Sequence, residues 1–498
     1  MVHHIDWSIV ASIVAVVTFW TINIAAIGFI PEGKRPQTAM AWLILILFLP
    51  YFGILLYFFL GTPNIGRRRQ QSLDGVNARI IHDAKAAEEA GRITLPDLSH
   101  APDYVENLAE LNRSIALMPL TAGNHIQLLP DYQESIDQMV AEIDRAKEFV
   151  HVEFYIMALD KMTIPFFDAL DRATERGVIV RLLFDHLGTR GIPGYRDLLA
   201  RLEASQIQWR MMMPLLPFKG RFRRPDLRNH RKLLVVDDEV GFTGSLNLTH
   251  PSYNKPKNLE SGREWIELWM RLEGPIVTTI DALFAADWAL ENDSEQVLPS
   301  FRGVDNQPRN TRDIVGVPAQ LIPSGPGFKA ETNLRLFTSL IYNARNRIML
   351  TSPYFVPDET LLYAITTAAQ RGVEVNLFVS EQADQFMVGH AQASYYRELL
   401  EAGVRIWLYP KPFVLHAKHF TIDEDVCVVG TSNMDMRSFA LNYEMSVMFP
   451  HQEVTRQVIK VAETYQSLSR ELTLEQWRQR PHRTRFVDNA MRLTATVQ

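Results

Sequence analysis

Most of this chain is written twice, and that repetition limits the fold more than any other feature of the sequence. A helix end runs into an apolar strand at Ala146-Lys-Glu-Phe-Val-His-Val-Glu-Phe-Tyr-Ile, and again at Ala344-Arg-Asn-Arg-Ile-Met-Leu-Thr-Ser-Pro-Tyr-Phe. A second helix stops at Arg176-Gly177 before Val178-Ile-Val-Arg-Leu-Leu-Phe; its counterpart stops at Arg371-Gly372 before Val373-Glu-Val-Asn-Leu-Phe-Val. Glycine just past a helix is the usual stop signal. Tyr195-Arg-Asp-Leu-Leu then matches Tyr396-Arg-Glu-Leu-Leu, and each leads to a further strand, at Ile207 and Val404. Strands alternating with helices predict β/α units. The expected fold is α/β, with two duplicated lobes over 120–300 and 315–480, each a mostly parallel sheet flanked by helices.

Each copy carries the same short constellation. The first reads Arg228-Asn-His-Arg-Lys-Leu-Leu-Val-Val-Asp237 and the second Leu415-His-Ala-Lys-His-Phe-Thr-Ile-Asp423, so both fit His-x-Lys-x4-Asp. A glycine and an asparagine follow in the same register, Gly244 with Asn247 and Gly430 with Asn433. Side chains at i and i+2 of a strand share a face, which projects His230 with Lys232 and His416 with Lys418. The strand–turn–strand that follows can return each asparagine to its histidine. A lone His near a Lys is ordinarily a surface pair; two in-register copies inside a wider repeat point to a shared site.

The N-terminus has another character. Two apolar runs, Ile9 to Ile30 and Thr38 to Leu60, contain no Asp, Glu, Lys or Arg. Each has the length, about 20 residues, that crosses a ~30 Å hydrocarbon core as a helix. A polar link from Pro31 to Gln37 separates them, and Pro50 inside the second is a tolerable kink. Residues 1–60 therefore predict a two-helix transmembrane hairpin. The opening Met-Val-His-His-Ile-Asp lacks the basic start of a signal peptide. Arg67, Arg68 and Arg69 follow the second run, against Lys34 and Arg35 in the link. The positive-inside rule then puts the N-terminus and the C-terminal bulk in the cytoplasm, by a margin of one charge. Residues 61–119 read as a linker and 481–498 as a C-terminal tail.

Net charge is -6, which argues against a nucleic-acid partner, since such binding draws on many Lys and Arg. Cys427, the one cysteine, sits in an apolar stretch and reads as a core residue; it excludes an internal disulfide or a cysteine zinc site. The histidines and aspartates near the motifs lack zinc or magnesium ligand spacing, so neither metal nor cofactor is expected. Two further stretches set apolar residues beside arginines: Met211 to Arg228, and Trp477 to Phe486 with Arg478, Arg480, Arg483 and Arg485. Either suits an anionic membrane surface, and the first reads equally as a core strand followed by a solvated loop.

The paired motif resembles the phospholipase D superfamily. The apolar strings Ala41-Trp-Leu and Pro50-Tyr-Phe-Gly-Ile-Leu-Leu-Tyr57, with Arg228-Asn-His-Arg-Lys, Ser352-Pro-Tyr-Phe-Val-Pro and Asn433-Met-Asp-Met-Arg-Ser-Phe, are similar to bacterial cardiolipin synthases. Gly244-Ser245 stands where that family more often has two glycines, and His250 to Gly262 is atypical, which bears on acceptor preference. The resemblance implies an inner-membrane, multi-pass phosphatidyltransferase that joins two phosphatidylglycerols into cardiolipin and glycerol through a phosphatidyl-histidine. Its partners are the phospholipid bilayer and phosphatidylglycerol. The alternative is a phospholipase D-type hydrolase, or a transferase using another lipid or acceptor. The resemblance makes His230 the nucleophile and His416 the acid/base, roles suited to a near-neutral imidazole. Lys232, Lys418, Asn247 and Asn433 would hold the phosphate oxygens. Asp237 and Asp423 complete the catalytic set by fixing the motif strands. Glu444 and Glu267 would orient the imidazoles, with Glu264 competing for the second place.

Overall fold

The computed structural model describes residues 7–34, 36–61, 66–91, 93, 95–99, 101–216, 221–222, 224–292, 312–328 and 331–493. It divides into two compact units, Met1–Asn64 and Ile65–Gln498.

The first unit holds three helices, α1 (Trp7–Phe29), α2 (Pro36–Phe48) and α3 (Pro50–Leu60). Among the described residues α1 alone is long and apolar enough to cross a membrane. The second expected span is two short helices, broken at Leu49, whose φ of -134° and ψ of 66° lie outside the helical region. Pro50 is the cause: its ring disfavours a helical residue before it, and it has no N–H to give the Ile46 carbonyl. Ala26, Ile30, Ala39 and Ile46 form the small core of this unit.

The second unit is built on one sheet. Its first lobe supplies β1 (Leu120–Leu129), β2 (Phe149–Phe154), β3 (Ile179–Asp185), β4 (Gln208–Met212), β5 (Leu233–Val236), β6 (Val240–Gly244) and β7 (Trp269–Glu273). The second lobe supplies β8 (Ile314–Ser324), β9 (Arg347–Thr351), β10 (Glu374–Ser380), β11 (Arg405–Tyr409), β12 (His419–Ile422), β13 (Val426–Gly430) and β14 (Asn442–Phe449). The spatial order is β4-β3-β2-β5-β6-β7-β1 in one lobe and β11-β10-β9-β12-β13-β14-β8 in the other, the same order under the repeat. β1 pairs antiparallel with β8, and β8 with β14, so the half-sheets fuse.

The sheet is mixed, not mostly parallel. Only β2, β3 and β4, and likewise β9, β10 and β11, run parallel to their neighbours. From β2 to β5, β6, β7 and β1 every pairing is antiparallel. The motif itself enforces this. β5 returns to β6 through a tight turn at Asp237 and Asp238, whose φ values of 55° and 57° suit a hairpin.

Helices cover both faces. Tyr132–Arg145 and Ile164–Glu175 seal the first lobe over Ile136, Met139, Phe166 and Leu170. Pro275–Asn292 is apolar nearly all round because it is buried nearly all round, in the central core that also holds Cys427. Burial pushes that thiol up to about 12, in keeping with a packing role. The stretch read as a linker does more than connect. Its helix Tyr104–Ala116 puts Val105, Leu108 and Ala116 into the second-lobe core, and Arg69 pairs with Glu291 at 2.8 Å. The stretch read as a tail folds as helix His482–Arg492, where Asp488 meets His390 at 2.7 Å; 494–498 lie outside the described residues.

Candidate active site

Each motif enters the site by adding a short strand to the opposite lobe. Arg228–Asn229 pairs in parallel with the start of β14, and the His230 N–H donates to the Tyr443 carbonyl at 2.9 Å. In the other lobe Val414–Leu415 pairs in parallel with Trp265–Ile266, and the His416 N–H donates to the Ile266 carbonyl at 2.8 Å. The next residue along each receiving strand is a glutamate. His230 Nδ1 therefore lies 2.9 Å from both carboxylate oxygens of Glu444. His416 Nδ1 lies 2.8 and 2.9 Å from those of Glu267. Both acids expected to orient the imidazoles are in place, each contributed by the other lobe. Glu264 is exposed and holds neither ring.

Both rings line one cleft of about 560 Å³, together with Asn247 and Asn433. Anchoring each Nδ1 to a glutamate leaves Nε2 as the ring atom free for chemistry. The motif lysines are buried, and each is tied to its own motif backbone: Lys232 Nζ donates to the His230 carbonyl at 2.7 Å and Lys418 Nζ to that of His416 at 2.6 Å. Asn247 donates to the Tyr253 hydroxyl at 2.7 Å.

Asp237 and Asp423 belong to the framework and not to the cleft. Asp237 accepts three backbone N–H bonds, from Lys147, Glu148 and Phe149, each 2.8 Å, and so clamps the start of β2. Asp423 repeats this with Arg345, Asn346 and Arg347 at 3.0, 2.7 and 2.9 Å. Each stands past the end of its motif strand, about 16 Å of extended chain from the motif lysine.

The electrostatics of the halves differ. Burial, aided by Lys232, Lys418 and His416, holds His230 well below 6.5. Burial also lowers His416, though Glu267 works against it. Burial raises Glu444 to about 7 despite Lys232 and its hydroxyl donors, whereas His416, Lys418 and Ser245 outweigh burial at Glu267 and lower it. Burial likewise brings Lys232 down to about 7 and Lys418 to about 8. One half thus holds a firm carboxylate under its imidazole; the other holds a carboxyl that titrates near neutrality.

Several cleft residues were not singled out from the sequence. Tyr155 meets the His230 ring edge-on at 4.8 Å, and Tyr354 meets His416 at 6.4 Å. A signal existed, since both repeat blocks carry a tyrosine at the strand end. Tyr253 and Lys255, from the atypical stretch, form part of the wall, as do Asp384 and Arg437. Of the basic stretch before the first motif, Met212, Met213 and Leu227 are core, Arg228 pairs with Asp185 at 3.2 Å, and Arg224 pairs with Asp226. Lys219 and the side chains of Arg221 and Arg223 lie outside the described residues. Near the C-terminus Arg480 stacks on Trp477, while Phe486 is exposed. Among the described residues one group, His125, Glu273 and Asp313, has metal-ligand spacing. It lies outside the cleft, and Arg271 pairs with two of its members, Glu273 at 2.5 Å and Asp313 at 3.6 Å.

Comparison with known proteins agrees with this geometry. A family profile described as cardiolipin synthase, PLD-like domain, matches residues 139–288 and 337–465. One described as phospholipase D-nuclease N-terminal matches residues 10–61. The chain is 32% identical over 475 residues to cardiolipin synthase A of Proteus mirabilis, covering 94% of this chain and 95% of that one. It is 32% identical over 459 residues to cardiolipin synthase A of Pectobacterium carotovorum, covering 92% of each. Its fold resembles the crystal structure of phosphatidylserine synthase from Haemophilus influenzae, with a TM-score of 0.58, 16% identity, and coverage of 78% of this chain and 99% of that one.

Proposed function

The chain belongs to the cardiolipin synthase family of phospholipase D-like phosphatidyltransferases, and from that footing we propose that it moves a phosphatidyl group from one phosphatidylglycerol to another through a phosphatidyl-histidine on His230. The observation that carries this reading is the pairing of two imidazoles in one cleft, each with Nδ1 held by a buried glutamate and Nε2 left for the reaction.

In the first step the Nε2 lone pair of His230 attacks phosphorus and the bond to the glycerol oxygen breaks. The His416 Nε2–H gives its proton to that oxygen, and glycerol leaves. The His230 ring becomes a cation, which Glu444 balances from behind. In the second step neutral His416 takes the proton of a hydroxyl on the second phosphatidylglycerol. That oxygen attacks phosphorus, the P–N bond breaks, and cardiolipin is released with both histidines in their starting states. Lys232, Lys418, Asn247 and Asn433 supply positive potential and hydrogen bonds to the non-bridging oxygens as charge builds there. The proton asymmetry supports the assignment. A neutral His230 is a nucleophile at neutral pH, and burial lowers His416 less far because the Glu267 carboxylate opposes it, so His416 is the ring that more readily holds the proton an acid needs. No step calls for a metal or a cofactor.

The apolar N-terminal unit attaches the enzyme to the bacterial inner membrane, with the catalytic lobes on the cytoplasmic side, a sidedness supported by the basic residues after α3. Purified protein incubated with phosphatidylglycerol labelled in its headgroup glycerol tests the reaction. Cardiolipin and free glycerol in equal amounts are expected. Phosphatidic acid in place of cardiolipin would make water the acceptor and overturn the synthase reading.

A further inference from the structure

The second apolar run does not pass through the membrane unit; it doubles back. The rings of Trp42 and Tyr57 lie 5.4 Å apart. In a continuous helix those positions would be separated by about 22 Å, at ~1.5 Å per residue. Gly53 faces Ile46 so closely that a Cβ there would come within 2.9 Å of the Ile46 Cα. Lys34 Nζ donates to the Gly61 carbonyl at 2.6 Å, so the chain leaves α3 beside the point where it entered α2. The Trp42–Tyr57 and Ile46–Gly53 contacts are symmetric about the Leu49–Pro50 break, the register of an antiparallel helical hairpin, and the Lys34 bond closes its open end.

The lengths agree. α2 has 13 residues and α3 has 11. That makes arms of about 20 and 17 Å, too short for a ~30 Å hydrocarbon core, whereas α1, with 23 residues, reaches about 35 Å. The tip is built for depth. Backbone inside hydrocarbon must find its partners within the protein. The Leu49 N–H donates to the Leu45 carbonyl at 2.9 Å, the Leu49 carbonyl accepts from Gly53 at 2.6 Å, and Pro50 brings no N–H. Phe48, Leu49, Tyr51 and Phe52 around the tip are exposed, Phe48 by 76%. Four large apolar side chains on a turn suit acyl chains and not water.

We propose that α1 crosses the bilayer once and that α2 and α3 form a re-entrant hairpin, entering and leaving on the face where the Pro31–Arg35 link lies. Lys34, Arg35, Arg67, Arg68 and Arg69 then share one side, while the residues before Trp7 carry neither Lys nor Arg. The one-charge margin of a two-span arrangement becomes five against none, and the positive-inside rule orients the protein without ambiguity. The N-terminus faces outward, and the link and the lobes face the cytoplasm. This deepens the membrane attachment proposed above and rests on it.

Sidedness of single cysteines in the full-length protein tests it. Cys427 is buried and gives a silent background. Val2→Cys, Glu32→Cys and Glu475→Cys, confirmed active, are treated with a membrane-impermeant maleimide in spheroplasts and in inverted vesicles. Glu32→Cys and Glu475→Cys are expected to react only in inverted vesicles, and Val2→Cys only in spheroplasts. A Glu32→Cys that reacts on the face opposite Glu475→Cys would overturn the hairpin and restore two spans, leaving cytoplasmic lobes intact. Glu32→Cys and Glu475→Cys reacting together in spheroplasts would keep the hairpin and overturn the cytoplasmic placement. Protein released from the membrane by alkaline carbonate would overturn both.

Discussion

Replacing Glu444 by Gln isolates the first step of the proposed reaction. The carboxylate is fully buried and accepts from Thr431 Oγ1 at 2.6 Å and Ser438 Oγ at 2.9 Å, so a glutamine has no room to turn away. Those two hydroxyls claim different oxygens, and both oxygens lie 2.9 Å from His230 Nδ1. Either orientation of the amide therefore sets an NH2, beside the remaining carbonyl oxygen, against that nitrogen, and the NH2 stabilises the tautomer with its proton on Nε2 and no lone pair for phosphorus. The corresponding exchange behind the histidine of a Ser-His-Asp triad lowers kcat about 10⁴-fold. Here the loss in kcat/KM is expected at about 10³- to 10⁴-fold, or about 4 to 5.5 kcal/mol at 1.36 kcal/mol per decade. Glu267→Gln should lose activity for another reason, since it removes the carboxylate that helps keep His416 protonated. A phosphatidyl ester of p-nitrophenol separates the two, because that leaving group departs without a proton. Glu267→Gln and His416→Ala should still give a stoichiometric burst of p-nitrophenolate followed by slow turnover; Glu444→Gln and His230→Ala should give none. Equal bursts from both pairs, or a Glu444→Gln enzyme within tenfold of the parent, would refute the asymmetry.

Two further outcomes follow from the same geometry. In the free enzyme the nucleophilic half becomes competent as Glu444 ionises, near about 7, where Lys232 already begins to discharge, and the phosphate cradle fails as Lys418 follows, near about 8. Activity should thus rise through the first value and fall above the second in kcat/KM, with the alkaline limb displaced upward in kcat because a bound anion holds the lysines charged; a flat alkaline limb in kcat/KM would contradict this. Asp237→Asn tolerates the local φ of 55° but loses one acceptor oxygen from a three-bond clamp, so it should destabilise by about 2 to 3 kcal/mol and lower the inactivation temperature while leaving the initial rate near the parent. A large fall in rate without a change in inactivation temperature would place Asp237 in the chemistry.

The legible parts of this molecule were those fixed by local spacing. The repeat, the two motifs and the returning asparagines each depend on residues within one lobe, and i, i+2 alternation carries them. Glu444 and Glu267 could be marked as acids near the motifs. Their exchange between lobes could not be read, because it is decided by two-residue strands, Arg228–Asn229 and Val414–Leu415, that pair only once both lobes are folded. The sheet was misread for a related reason. Helix–strand alternation describes β2 to β4, but the hairpins after each motif add antiparallel strands that no helix announces. Residues 61–119 looked like a connector because their helices are polar on most positions; the apolar stripe of Tyr104–Ala116 gains meaning only against the second lobe. In the anchor, hydropathy reports how much apolar chain exists and not where it turns, and the turn is set by one proline.

Two copies of one motif would be expected to titrate alike, and a reaction that needs a base and an acid at once requires that they do not. The difference comes from outside the motif. Glu444 accepts from Thr431 and Ser438 hydroxyls and has an Asn442 amide at 3.4 Å, yet burial still prevails and its carboxyl rises to about 7. Glu267 has Ser245 in place of that threonine, and the His416 and Lys418 charges outweigh burial there. Ser245 is the same residue that departs from the double glycine more usual in the family, and its hydroxyl also binds the Leu268 N–H at 2.9 Å, beside the acid it supports. Gly244 before it cannot carry a side chain, since a Cβ would meet the Leu268 carbonyl at 2.4 Å. On the proposed mechanism, the duplicated halves thus keep one geometry around the two imidazoles and divide acid from base through the neighbours of their glutamates.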